Sequence, residues 1–211
     1  MVNLIVGFFV GLSSGATVII ARYYGAKNKK ELNDTLHTAA ALSIVGSIII
    51  TIAGIALTPF MLKLMNTPKD VIQGSSTYLR IYFAGIIFVF IYNVGSAILR
   101  AVGDSKRPLY FLIVCCFINI FLDVLLVVGF NMGVAGAALA TVISQAVSAV
   151  LVIYALMNSK DMYCLKPKEI HFHKFLFLSI VTIGLPAGIQ SVMYNPVSYT
   201  HLRAHETTLH L

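Results

Sequence analysis

The chain has 211 residues, 58% of them hydrophobic and only 11% charged, with a mean hydropathy of +0.88. Soluble domains carry about 25% charged residues, so the composition excludes an ordinary soluble domain and predicts an integral membrane protein. The net charge of +7 does not indicate nucleic acid, because the Lys and Arg residues sit in turns between apolar runs.

Six apolar segments follow one another, at about 2–21, 36–58, 71–98, 108–130, 133–157 and 172–195. A helix needs about 20 apolar residues to cross a bilayer, so five are expected to span and the sixth is short. None shows the period-2 alternation of a closed β-barrel. The fold class expected is therefore an all-α polytopic membrane protein. No basic stretch with a cleavage site opens the chain, so no signal peptide is expected.

The first segment places Gly7, Gly11 and Gly15 on one helical face, a spacing that admits a second helix at close range. Gly11-Leu12-Ser13-Ser14-Gly15 also fits the G-x-S-x-G pattern of a hydrolase elbow. That motif needs a strand before it, and here the surroundings are one apolar helix. A basic turn follows at Arg22-Tyr23-Tyr24-Gly25-Ala26-Lys27-Asn28-Lys29-Lys30. The second span is expected to end at Thr58-Pro59. The third is aromatic, with Tyr78, Tyr82, Phe83, Phe88, Phe90 and Tyr92, and carries Asn93. Tyr92 and Asn93 are weak candidates to line a drug-sized cavity. Taken singly, such aromatics are expected to face lipid.

The fourth span opens after the charged turn Leu99-Arg100-Ala101-Val102-Gly103-Asp104-Ser105-Lys106-Arg107-Pro108 and carries one acid, Asp123. Fifteen residues between Leu109 and Val128 are Leu, Ile, Val or Phe. At roughly 0.3–0.6 kcal/mol each they favour insertion by about 5–9 kcal/mol, against about 2.5–3.5 kcal/mol for a central Asp. The helix can span and keep its carboxylate. An acid at that depth points to function. Asn119 lies one turn earlier on the same face. On the fifth span Thr141, Ser144, Gln145 and Ser148 form a polar stripe, read either as interhelical hydrogen bonding or, for Ser144 and Gln145, as weak candidates to line the same cavity as Tyr92 and Asn93. An intramembrane enzyme needs a second catalytic group at membrane depth, and no His or Lys appears there, so no enzyme is expected. Cys115, Cys116 and Cys164 show neither a disulfide framework nor metal spacing.

Connections 22–34, 99–107 and 158–174 hold 4, 3 and 4 Lys or Arg residues, whereas 59–70 and 131–132 hold 2 and 0. The positive-inside rule places the first three in the cytoplasm. The first span then runs inward, and a preceding helix is expected.

Three motifs carry a resemblance. They are Ala21-Arg22-Tyr23-Tyr24-Gly25-Ala26, the turn 99–108, and Asn119-x-x-x-Asp123 combined with Gly133-Val134-x-Gly136-Ala137-Ala138-x-Ala140-Thr141. Together they resemble the multidrug and toxic compound extrusion (MATE) family, in its bacterial branch related to the DNA-damage-inducible transporters, over about residues 2–195. The resemblance implies helices two to six and the start of helix seven of a twelve-helix, two-lobe transporter, with Ile183-Gly184-Leu185-Pro186-Ala187-Gly188-Ile189-Gln190 opening the second repeat. It implies an N-terminal lobe at 1–157 without its first helix, a cytoplasmic inter-lobe loop at 158–171 and the start of the second lobe at 172–195. Residues 196–211 hold three of the six histidines, His201, His205 and His210, and are expected to be a non-native tail rather than a metal site.

By the same resemblance, Asp123 and Asn119 form the cation site with Thr141. The function implied is a proton- or sodium-coupled antiporter that exports cationic or amphipathic drugs, here as a truncated fragment. It would be multi-pass in the cytoplasmic membrane, monomeric and free of cofactors. The lipid bilayer and a small-molecule drug or metabolite are its partners, and nucleic acid is not. A lipid-linked oligosaccharide flippase of the same superfamily and an inactive fragment are the alternative readings.

Overall fold

Apolar runs of this length leave the backbone no partner but itself, and in the computed structural model the described residues form helices joined by turns and one longer connection. These are 2–64, 68, 71–159, 161–166 and 172–190, with side chains in the first helix described at 11 and from 13 onward. The helices are α1 (Val2–Gly25), α2 (Lys29–Leu64), α3 (Ile72–Ala101), α4 (Lys106–Asp123), α5 (Gly133–Met157) and α6 (Lys174–Gln190). By length and composition α2, α3, α5 and α4 with its extension to Gly129 can cross a membrane, whereas α6 is shorter. The expected non-native tail at 196–211 and the end of the sixth segment, 191–195, lie outside the described residues.

Two turns account for two of the sequence motifs. After α1 the chain reverses through Lys27 at φ 53°, with the Asn28 amide donating to the Tyr23 carbonyl. Asn28 Oδ1 then accepts the Glu31 amide and starts α2. After α3, Gly103 takes φ 91°, a conformation open to glycine at little cost, and the Asp104 amide donates back to the Leu99 carbonyl. Asp104 caps the Arg107 amide with Oδ1 and pairs with the Arg107 guanidinium through Oδ2. The charged motif is a helix stop followed by a helix start.

The structure corrects the expected end of the second span. α2 runs through Pro59 to Leu64. Proline removes one hydrogen bond, but the buried Thr58 hydroxyl donates to the Gly54 carbonyl one turn back. In an apolar environment a helix that continues keeps the most backbone groups satisfied.

α3 is the central helix, packed against α1, α2 and α5. This placement corrects the lipid-facing expectation for Phe83, Phe90 and Tyr92, which are all buried. The main core joins Ile20 of α1, Leu32 and Leu36 of α2, Ile98 and Leu99 of α3, Val152 and Leu156 of α5, and Ile180 of α6. Tyr163 and Leu165 of the connection after α5 are buried in the same core.

That connection is strapped to α2. Fully buried His37 meets the Asn33 carbonyl through Nδ1 at 2.7 Å and the Lys166 backbone through Nε2, 3.1 Å from its carbonyl oxygen and 3.3 Å from its amide. The Leu165 amide donates to the Leu156 carbonyl, and Tyr24 meets Tyr163 edge-on at 6.2 Å. The His173 amide donates to Thr38 Oγ1, fixing the start of α6 against α2.

α1 and α6 meet backbone to backbone. A Cβ on Gly15 would lie 2.6 Å from the Gly184 nitrogen, and one on Gly11 would lie 2.7 Å from the Ala187 carbonyl carbon. Gly11-x-x-x-Gly15 therefore faces Gly184-x-x-x-Gly188. The close approach read from α1 alone acquires its partner, the opening of the last apolar segment. The G-x-S-x-G match sits inside continuous α1, where the Ser14 hydroxyl donates to the Gly11 carbonyl. No elbow forms there.

Candidate cation site

α4 turns most of its surface outward, with Phe117, Ile120, Phe121 and Val124 exposed. Its inner stripe runs through buried Cys115 and half-buried Asn119, Leu122 and Asp123. The four-residue spacing thus carries the amide and the acid onto the face that meets the bundle. There, Asp123 Oδ1 and Asn119 Nδ2 are buried and have no hydrogen-bond partner among the described residues. An unsatisfied buried polar atom costs about 1–3 kcal/mol, and more where charge is involved. A buried carboxylate oxygen without a donor is the arrangement that a proton or a small cation satisfies.

Directly after Asp123 the helix widens. Val124–Gly129 forms a π-helical turn, in which the Phe130 amide donates to the Leu125 carbonyl, and the Met132 amide then donates to the Leu126 carbonyl. Such turns occur often at functional sites. The chain reverses through Asn131 (φ 53°) and Gly133 (φ 54°), and Gly136 packs onto the widened turn. A Cβ at Gly136 would lie 3.1 Å from the Leu126 carbonyl oxygen. The small residues of Gly133–Thr141 let α5 sit this close. Counting back from the Leu126–Gly136 contact in an antiparallel pair, Thr141 lies about two residues, roughly 3 Å along the axis, from the level of Asp123.

The remaining candidates make their described contacts elsewhere. On α5 the hydroxyls of Thr141, Ser144 and Ser148 donate to their own helix, at the Ala137, Thr141 and Gln145 carbonyls. The interhelical bonding considered for this stripe is thus replaced by bonds within α5. The lone pairs of the Thr141 oxygen still face a ligand's needs as acceptors. Ser144 is buried and Gln145 half-buried. Tyr92 is a fastener: its buried hydroxyl donates to the Pro108 carbonyl at 3.0 Å and ties α3 to the start of α4.

Asn93 does line a cavity, though a different one, of ≈ 20 Å³, bounded by Ser13, Ser43, Phe90 and Ile180 of α1, α2, α3 and α6. That is room for about one water. An apolar cavity of ≈ 150 Å³ lies between α2, α3 and α5. Drug-sized pockets measure about 300–1,000 Å³, so neither cavity holds a drug. The feature that sequence reasoning missed is the π turn, for which no residue type gives a signal.

Comparison with known proteins agrees with this architecture. Probable multidrug resistance protein YoeA of Bacillus subtilis (strain 168) is 34% identical over 197 residues, covering 90% of this chain and 42% of its own length. An inward-facing structure of a multidrug resistance MATE family transporter of the MOP superfamily superposes with a TM-score of 0.84 at 26% identity, over 90% of this chain and 43% of that one. An outward-facing structure described in the same words superposes at 0.85 and 25%, over 93% and 44%. The chain spans about 42% of the length of the curated relatives it matches. Long apolar helices, the glycine-lined α1–α6 contact and the acid beside a π turn coincide with a match to the MatE family model over residues 1–125, more than half of the sequence, and the chain belongs to that family.

Proposed function

We propose that this chain supplies the cation-coupling lobe of a multidrug antiporter, working as a monomer in the cytoplasmic membrane. Asp123 takes up the coupling ion, a proton or sodium. Asn119 and Thr141 help to seat it, and a cationic or amphipathic drug leaves in exchange. The observation that carries this reading is the orphaned buried carboxylate oxygen, Asp123 Oδ1, beside the π turn, and Asn119 would contribute through its amide oxygen. The names of the relatives, which specify multidrug resistance, support the substrate class.

A group that changes charge inside a helix bundle couples to transport when ion and drug favour different conformations, or compete for one cavity. Likeness to both inward- and outward-facing structures supports a lobe that keeps its internal packing as access alternates.

The test is Asp123→Asn in a two-lobe transporter carrying these residues. Expression and insertion should persist, because a neutral amide is easier to bury than a carboxylate. Ion-driven efflux should be lost, while Asn119→Ala should weaken it less. Normal efflux by Asp123→Asn at every pH would make Asp123 a structural residue and end the proposal.

A further inference from the structure

The end of the bundle that the Lys and Arg bias assigns to the cytoplasm holds a cleft of ≈ 410 Å³ that is unrelated to the candidate cation site. Lys29, Lys30 and Asn33 line it from the first turns of α2, and Lys166, Cys164 and Asp161 line it from the connection after α5. Lysines from two separate segments thus line one concavity, with Asp161 among the described residues that line it. Glu31 and Asp34, the acids on the same turns of α2, are not among the lining residues.

The convergence is built by the fold. Lys29 or Lys30 with Asn33 are spaced at i, i+4 and i, i+3, so all three can share one helical face. Lys166 belongs to a connection that would otherwise stray, but its backbone is held by buried His37, and neighbouring Leu165 and Tyr163 are sunk in the core. The cleft therefore has a fixed wall. The helix end is not itself the attraction, because Asn28 already caps the Glu31 amide.

We propose that this cleft binds a phosphate-bearing anion at the cytoplasmic surface. Lysine ammoniums are point charges suited to phosphate oxygens, and Asn33 adds an amide donor beside them. The source of the phosphate is either the headgroup of an anionic phospholipid in the inner leaflet or a soluble phosphate. Basic pockets at the cytoplasmic ends of membrane helices have this chemistry in general. The site is independent of ion coupling at Asp123.

The experiment uses the full chain in detergent, with native mass spectrometry to compare retention of phosphatidylglycerol and zwitterionic phosphatidylcholine. Phosphatidylglycerol should be preferred. Each lysine replaced by Gln should lower that preference about fivefold, and all three by roughly a hundredfold. The Lys→Arg versions should retain it. Raising salt on the unsubstituted chain should erase it by screening, which keeps the test decisive if the Gln variants fold poorly. Inorganic phosphate added at millimolar concentration separates the sources: displacement of the lipid assigns the site to soluble phosphate, and persistence assigns it to the headgroup. Equal retention of both lipids would overturn the proposal. So would an equal loss when Arg100, Lys106 and Arg107 are replaced instead, since that would reveal only a general positive surface.

Discussion

The backbone contact between α1 and α6 is the tightest part of the fold and the easiest to test. In Gly15→Ala the added methyl would lie 2.6 Å from the Gly184 nitrogen and 2.8 Å from its Cα. Carbon atoms settle at about 3.5–4.0 Å, so the two helices must part by about 1 Å. The two Gly184 atoms and the Ile180 carbonyl oxygen, which is closer still, all belong to backbone, so no side chain can rotate away. Alanine favours the helix by about 1 kcal/mol over glycine, whereas overpacking costs about 1–3 kcal/mol. Parting the helices also loosens the Gly11–Gly188 contact one turn along. The net expectation is a loss of about 1–2 kcal/mol, read as a Tm lower by roughly 3–6 °C when the purified chain is heated and its soluble monodisperse fraction followed. Gly25→Ala is the internal control, because a Cβ there meets nothing within 4 Å, and its Tm should hold or rise. If Gly15→Ala rises as Gly25→Ala does, the helices are not in contact through these glycines and the derived packing fails.

Two further expectations follow from the same structure. Tyr92→Phe removes the buried hydrogen bond to the Pro108 carbonyl and should cost about 1 kcal/mol, measured by thermal stability; no change would mean that α3 and the start of α4 are held by packing alone. In a background without the native cysteines, Lys106→Cys should be shielded from an impermeant maleimide in intact cells and Met132→Cys should react, with the reverse pattern refuting the orientation.

Helices were legible where the sequence had no alternative. Runs of apolar residues predict α3 and α5 to within a few residues of Ile72–Ala101 and Gly133–Met157. The turn at Gly103-Asp104 was visible because glycine and a short acid each do a specific backbone job there. Pro59 misled for a related reason: a residue that stops helices in water does so by offering the chain other partners, and an apolar environment offers none. The π turn after Asp123 left no trace, since any apolar residue can shift its amide from the fourth to the fifth carbonyl back. Its neighbour in the fold is Gly136 of the next helix, which comes close to the Leu126 carbonyl.

The candidate site divides along the same line. Asn119 and Asp123 share a face by arithmetic, so their pairing was readable from spacing alone, but their orphaned atoms depend on what the rest of the bundle declines to offer them. Thr141 came from resemblance, and only the α4–α5 register brings it to the level of the acid. The lysine cleft was invisible for a different reason. Lys29, Lys30 and Lys166 read as topology markers in two unrelated loops, until a buried histidine on α2 is seen to hold the second loop against the first. His37 has no exposed surface; one ring nitrogen finds the Asn33 carbonyl a turn away, and the other takes its partner, Lys166, from far along the chain. Local periodicity cannot show which segment would come back to supply it.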